Sequence, residues 1–337
     1  MNTQKGEKEM KKLVLLGLAL IISVSLVACS NSEKTSGDTD AEMQEVNKLS
    51  MATGGSTGTY FPVGTGIANA ISKSEKFDVT VQTSGGSVAN MKMLDGEEIQ
   101  LGLGASNTTF AGYNGDDPFE KGIEKLRAIS ALYPETFQFV VREDSGMKVI
   151  EDLKGKRVAV GAPGSGTERT GKIILAAHGL TYDDIQPEFM KFGEAVTALK
   201  DKAIDAAIIG SGLPTAAVVD ASSSMNITLL EVNKEKFGKV VESEPYFTMV
   251  TIPAGTYEGV DYDVVTGASP ALLITTTDLD EDIVYEITKA LFENVKTVHD
   301  AHVQGKNVTL ENALKGISIP LHPGTVKYYE EQGLDVK

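Results

Sequence analysis

The sequence predicts an α/β protein with two lobes, each a mostly parallel sheet flanked by helices. Strand-like apolar runs alternate with helical segments, which is the pattern of parallel β-α-β units. A strand, a glycine-rich turn and a helix start follow one another near residue 50 and again near residue 157. The chain has 337 residues, more than the roughly 250–300 residues that one hydrophobic core accommodates. The length therefore favours two lobes.

The first strand–turn–helix unit spans residues 50–62 and continues into a helix with apolar residues at 67, 70 and 71. Glycines allow a backbone with positive φ and the close approach of a ligand. A helix start presents unpaired amide N–H groups at the positive end of the helix dipole, where carboxylates and phosphates bind. The candidate ligand-binding residues of this unit are Ser56, Thr57 and Tyr60.

The second unit has a strand at residues 157–160, a turn at 161–167 and a helix at 168–178. Because its chemistry matches that of the first unit, the pair predicts one ligand held from two sides. The candidate residues here are Ser165, Gly166 and Thr167.

Three other strands end in polar turns: 77–81, 99–104 and 203–209. Ligands of open parallel sheets bind outside the carboxyl ends of the strands, and a serine also caps a helix start well. These turns add the candidates Gly85, Ser87, Ser106, Asn107, Ser211 and Gly212.

Apolar runs on either side of the second unit predict where the chain passes between the lobes. Residues 127–133 and 136–141 form the first crossing, and the runs 245–253 and 264–277 carry the chain back. We therefore assign residues 48–137 and 255–337 to lobe 1 and residues 138–254 to lobe 2. A long amphipathic helix at 280–298 and a helix at 320–333 complete lobe 1.

The N-terminus predicts export. A lysine-rich start precedes an apolar run at 13–28, which is shorter than the ~20 residues of a membrane-spanning helix and typical of a signal peptide. The run ends in small residues before Cys29, as in a bacterial lipobox, so we expect residues 1–28 to be removed and Cys29 to carry a lipid anchor. Residues 29–47 are polar and predict a flexible tether. A plain membrane anchor with an incidental Cys29 is the alternative.

Composition excludes several classes of function. The formal net charge is −16 with only four arginines, which argues against binding of nucleic acid or of anionic lipid through a basic patch. Cys29 is the only cysteine, so no intrachain disulfide forms. Neither a metal-ligand spacing nor a dinucleotide fingerprint is present. We expect no metal, no cofactor and no catalytic residue.

Two motifs suggest enzymes instead. Residues 54–58 match G-x-S-x-G, which would make Ser56 the nucleophile of a secreted hydrolase; however, this turn follows the first strand of the mature chain, and the histidines have no evident partner. Residues 166–172 match G-x-x-x-x-G-K, but Ile173 replaces the Ser or Thr that would bind magnesium. Both enzyme classes remain less favoured alternatives.

Several segments together resemble the TAXI family of solute-binding proteins of TRAP transporters. The similarity runs from about residue 49 to residue 329 and is concentrated in residues 54–62, 82–90, 132–135, 152–161 with 165–167, and 284–289. It implies a two-lobed clamshell of the type II periplasmic-binding kind. Ser106 and Asn107, followed by Thr108, stand where relatives often carry an acidic residue, so the sequence leaves the choice of ligand open.

The resemblance implies binding without chemistry. Its ligand would be a small organic anion or amino acid, such as glutamate, glutamine or a dicarboxylate. A TRAP-type membrane permease would receive the ligand, and the protein would be a monomer, lipid-anchored outside the cytoplasm. A clamshell that reports its ligand to a membrane receptor is the alternative within the same fold.

Overall fold

A computed structural model describes residues 46–336, which form one structural unit. The predicted signal peptide, Cys29 and most of the tether lie outside the described residues. Strands account for the centre of the fold. Their bounds are β1 Asn47–Ala52, β2 Phe77–Gln82, β3 Leu101–Ala105, β4 Leu126–Arg142, β5 Arg157–Gly161, β6 Gln186–Phe189, β7 Ala206–Ser211, β8 Ile227–Leu230, β9 Thr248–Ile252 and β10 Val264–Thr276.

Helices cover both faces of these strands. The α-helices are α1 Tyr60–Ser72, α2 Ser87–Asp95, α3 Ser106–Asn114, α4 Gly166–Ala177, α5 Phe192–Lys200, α6 Ala216–Ser224, α7 Lys234–Ser243, α8 Glu281–Glu293, α9 Lys296–Ala301 and α10 Pro323–Glu331. Short 3₁₀ helices occupy Glu143–Ser145, Ile150–Leu153, Tyr182–Asp184 and Val303–Asn307. Within residues 46–336, every helix is too short or too polar to cross a lipid bilayer.

The strands form one sheet in the order β2-β1-β3-β10-β4-β7-β5-β6, with β8 added beside β4 and β9 beside β10. Strands β2, β1 and β3 are parallel to one another, and so are β7, β5 and β6. The predicted α/β fold with parallel strands on each side is confirmed. The sequence did not indicate that the antiparallel strands β4 and β10 join both sets into a continuous sheet.

The two long central strands cross from one side of the molecule to the other. From Leu126 to Thr136, β4 pairs with β10; from Thr136 to Val141 it pairs with β7. At the crossing Pro134 lies opposite Pro270, and Glu135 lies opposite Ser269. Proline has no amide hydrogen to donate, so two facing prolines leave neither strand with an unsatisfied donor. This explains why β4 continues through Pro134, which the sequence predicts as a break between two runs.

The hydrophobic core is divided into two parts at this crossing. Clusters around Ile67 and Met91 draw on residues 49–133 and 271–329, whereas clusters around Phe139 and Val196 draw on residues 137–264. We call residues 46–133 with 271–336 the first half and residues 136–268 the second half.

The return crossing lies later in the chain than residue 255. Tyr257, Val260 and Val264 are buried in the second half against strands β5 and β7. We therefore place the boundary near Pro270, because these side chains contribute to the core that precedes it.

Two predicted elements differ from the structure. The single helix predicted at 280–298 is two helices, α8 and α9, because Asn294 ends α8 with a non-helical φ of −111°. The sequence also predicts a strand at 188–192, but this strand, β6, ends at Phe189, and Phe192 is the first residue of α5. Because residues 188 and 191 are charged, the spacing of the apolar residues in this segment does not distinguish a strand from a helix.

Candidate functional site

A cavity lies between the two halves, beside the crossing of β4. Its water-accessible volume is about 50 Å³. A buried water needs roughly 10–15 Å³ by this measure and fills about 30 Å³ of liquid. The cavity thus has room for on the order of four waters, or one small solute of roughly 120 Å³. We call it the central cavity; residues that line it include Gly54, Tyr60, Gly85, Ser87, Glu135, Ser165, Gly166, Thr167, Lys191, Phe192, Gly210 and Ser211.

Four helices begin at the wall of the central cavity. The first residues of α1, α2, α4 and α5 are Tyr60, Ser87, Gly166 and Phe192, and all four line the cavity. The positive dipole end of each helix therefore borders the same small volume, which favours a negatively charged group there. The backbone amides of Ser87 and Gly166 donate no hydrogen bond to any residue within 46–336. They are free to bind a carboxylate.

The two halves contact each other directly around this cavity. The Thr59 amide donates to Ser211 Oγ at 3.0 Å, and Ser211 Oγ donates to Thr59 Oγ1 at 3.0 Å. On the opposite wall the amide of Ala89 donates to the carbonyl of Gly164 at 3.1 Å. These bonds join residues of one half to residues of the other, so the cleft is closed in this structure.

Glycine is required where the halves approach most closely. A Cβ atom on Gly166 would lie 2.6 Å from Ser87 Oγ and 3.2 Å from Thr108 Oγ1, both in the first half. Gly86, which precedes α2, has φ of +104°, a conformation that side chains with a Cβ rarely adopt. Both glycines therefore allow the two helix starts to face each other across the cavity.

A buried carboxylate lies at the floor of the cavity. Glu135 is only 7% exposed, and Tyr60 Oη donates to its Oε2 at 3.0 Å. Burial raises the pKa of Glu135 to about 8, against the opposing effect of the bond from Tyr60. Burial, with the nearby Glu135 charge, also raises the pKa of Tyr60 well above its usual range. Tyr60 thus stays a neutral donor.

The structure brings a majority of the predicted ligand-binding residues together. They come from both halves and from three of the four helix starts. The predicted residues that line the central cavity are Tyr60, Gly85, Ser87, Ser165, Gly166, Thr167 and Ser211.

The other predicted residues lie near the cavity but do not line it. Ser56 is exposed, and the carbonyl of Thr57 accepts from the amide of Ala217 at 3.3 Å. Ser106 Oγ donates to the Gly316 carbonyl at 2.6 Å. Two more take part in contacts between the halves: Asn107 Nδ2 donates to Thr170 Oγ1 at 2.7 Å, and the carbonyl of Gly212 accepts from Thr59 Oγ1 at 3.1 Å.

Sequence reasoning did not single out Glu135, Lys191 or Phe192. A signal existed for Glu135, since it is the one acidic residue in the long apolar run that became β4. No comparable signal existed for Lys191, an exposed lysine next to a helix start. Phe192 packs against the first turn, where a Cβ on Gly58 would lie 3.3 Å from its ring.

The geometry does not support the two enzyme motifs. Each histidine of the described chain, at positions 178, 299, 302 and 322, hydrogen-bonds to backbone groups and none to Ser56. The segment 166–172 lies within helix α4, so it forms no phosphate-binding loop. Among residues 46–336 there is also no cluster of three His, Cys, Asp or Glu side chains suited to a metal ion.

Solved structures resemble this fold. A protein from Bordetella bronchiseptica RB50 aligns with a TM-score of 0.54 at 21% identity, covering 84% of this chain and 82% of that one. A periplasmic transporter aligns with a TM-score of 0.51 at 12% identity, covering 85% and 92%. The periplasmic aliphatic sulphonate binding protein SsuA from Escherichia coli gives 0.48 at 16% identity, covering 85% and 78%.

The α/β fold, a sheet flanked by helices, matches periplasmic binding protein structures. The family model of the NMT1-like family matches residues 51–333. The chain therefore belongs to the NMT1-like family.

Proposed function

We propose that this protein is an extracytoplasmic solute-binding protein that captures a small carboxylate in the central cavity. The observation that carries the proposal is the convergence of four helix starts on one cavity between the halves. The free amides of Ser87 and Gly166 supply hydrogen bonds from both halves. A hydrogen bond to a charged acceptor contributes about 1.5–3 kcal/mol.

Binding across the cleft couples the ligand to closure. A ligand that touches Ser87 in the first half and Gly166 in the second binds the closed form more tightly than any open one, so it shifts the population toward the closed form. A membrane permease that recognises the closed form then receives loaded protein. We propose a TRAP-type permease, because the segments that resemble the TAXI family include the cavity-lining residues Gly54, Gly58 and Tyr60 and the cavity-lining turn 84–87.

The binding experiment is isothermal titration of the purified protein with glutamate, glutamine and C4–C5 dicarboxylates. We expect one of these solutes to bind at a single site per chain. Saturable binding of none of them, or stoichiometric labelling of Ser56 by a fluorophosphonate, contradicts the proposal. Labelling would favour the hydrolase alternative.

Delivery and anchoring need separate tests. We propose that Cys29 carries lipid, so intact-mass analysis of membrane-extracted protein should show an acylated chain that begins at Cys29. An unmodified thiol or a retained Met1 contradicts anchoring. For delivery, uptake into vesicles that contain the TRAP-type permease should require the loaded protein. Uptake that proceeds equally without it contradicts the transport role.

A further inference from the structure

Besides the exposed Lys191, the central cavity is lined by one buried carboxyl group, which a carboxylate ligand alone does not satisfy. The carboxylate of Glu135 lines the cavity, and its single hydrogen-bond donor within residues 46–336 is Tyr60. No lysine, arginine or histidine of the described chain lies within 4.0 Å of it. A buried carboxylate without a cation is costly. A ligand that brings a cation would offset this cost.

The hydrogen bonds behind Glu135 all point toward it. The amide of Ala105 donates to Ser87 Oγ at 3.1 Å, and Ser87 Oγ lies 3.3 Å from Tyr60 Oη. Tyr60 donates its one hydroxyl proton to Glu135. In the bond between Ser87 Oγ and Tyr60 Oη, the donor is therefore Ser87. Such a directed chain polarises its members and stabilises a negative charge at its end. These hydrogen bonds favour the ionised form of Glu135, which burial disfavours, so a cation beside it would complete its stabilisation.

Glu135 lines the same cavity as the carboxylate-binding amides. Glu135 lies at the crossing of β4, paired with Ser269 of β10. Ser87 and Gly166, whose amides are free, line the same cavity. With a water-accessible volume of about 50 Å³, the cavity brings both kinds of group within reach of one small molecule. Its polar lining is complementary to a ligand with a carboxylate and a cation side by side.

We propose that Glu135 is the specificity-determining residue of this site and selects carboxylates that carry a protonated amine. This rests on the proposed function and decides between its two ligand classes: an amino acid is favoured over a dicarboxylate. An ammonium group beside Glu135 Oε1 and Oε2 is attracted to the carboxylate and donates hydrogen bonds to it. A second carboxylate at the same position is repelled by the like charge. Desolvated like charges disfavour each other strongly.

The experiment compares solutes that differ only in the amine. The full chain is first screened by thermal shift against the common amino acids and their amine-free counterparts. The best pair, such as L-glutamate and glutarate, is then titrated by calorimetry. The variants are Glu135→Gln, which keeps the size and an oxygen for Tyr60, and Glu120→Gln, a control at an exposed position.

We expect the wild type and Glu120→Gln to bind the amino acid at least a hundredfold more tightly than its amine-free partner. Glu135→Gln should reduce this ratio to less than tenfold while keeping the fold, as judged by circular dichroism. If the amine-free acid binds wild type equally well, or Glu135→Gln leaves the ratio unchanged, the specificity role is wrong and the carboxylate-binding function stands. If no solute of either class binds, both proposals are wrong.

Discussion

Tyr60 Oη donates a hydrogen bond to Glu135 Oε2 at 3.0 Å, and this bond links the first residue of helix α1 to the strand that joins the two halves. Both side chains are at most 8% exposed. The bond therefore connects a helix start at the cavity wall to the charged group at its floor. The function proposed for the site depends on how this pair behaves.

Removing the donor should weaken ligand binding. Tyr60→Phe deletes one hydrogen bond to a charged acceptor, a contribution of about 1.5–3 kcal/mol, so we expect roughly ten- to hundredfold weaker binding of the amino acid ligand. Tyr113→Phe, a half-buried tyrosine away from the cavity, is the matched control. Calorimetry measures both affinities. Equal affinities in the two variants would show that the bond to Glu135 does not contribute.

Burial of Glu135 should make the empty protein less stable as the pH rises. Its pKa in the folded protein is raised to about 8, so the folded chain holds a proton that the unfolded chain releases near its ordinary pKa. Stability is thus highest below that ordinary pKa and falls as the pH rises toward 8. Tyr60 and Tyr133, which face Glu135, also have raised pKa values and remain neutral over this range.

Urea unfolding of the ligand-free protein at pH 5.5 and pH 8 measures this effect. We expect the wild type to lose on the order of a few kcal/mol between these values relative to Glu135→Gln. Both proteins contain Lys191, which lines the cavity, and the same histidines. The difference between their pH curves therefore reports the effect of Glu135 alone. Parallel pH curves for the two proteins would mean that Glu135 is not desolvated in the folded state.

The closed cleft should not tolerate a side chain at Gly166. In Gly166→Ala the new Cβ would lie 2.6 Å from Ser87 Oγ and 3.2 Å from Ser87 Cβ, closer than such atoms approach, so the contact between the halves must shift here. We expect at least tenfold weaker binding and a larger radius of gyration by X-ray scattering at saturating ligand. Gly171→Ala, in the same helix, meets only Ile208 at 3.3 Å and is the control. Full affinity in Gly166→Ala would contradict closure at this contact.

Two serine variants should show whether affinity depends on contacts between the halves or only on a position in a glycine-rich turn. Ser211→Ala removes the acceptor for the Thr59 amide and the donor to Thr59 Oγ1. Each neutral hydrogen bond contributes about 0.5–1.5 kcal/mol, so closure and affinity should fall roughly tenfold. Ser56→Ala, at an exposed position, should change affinity less than twofold. If calorimetry shows a larger loss of affinity in Ser56→Ala than in Ser211→Ala, Ser56 belongs to the binding site.

Much of the fold follows from local patterns. Alternating strands and helices predicted the parallel sets, and the glycine-rich turns predicted the helix starts that now line the cavity, including those at Ser87 and Gly166. These features are local, because turn chemistry and helix caps depend on adjacent residues. Long-range pairing is different. The facing prolines Pro134 and Pro270 are more than a hundred residues apart, and no local pattern predicts that they meet.

The residues missed at the site have a similar explanation. Glu135 reaches the cavity because β4 crosses between the halves there, and Lys191 reaches it because α5 begins at the cavity wall. Ser56 and Ser106 were predicted from their positions after strands. The backbone of each turn, rather than its sequence position, decides which side chains point inward.

The central claim is that the cavity encloses one small solute with both an amine and a carboxylate. Native mass spectrometry of the protein purified without refolding, followed by fragmentation of the released solute, tests it most directly. We expect one bound amino acid per chain in the wild type and an empty chain for Gly166→Ala. A sugar, a phosphate ester, an amine-free dicarboxylate or a covalent adduct at Ser56 in place of that amino acid would contradict the account.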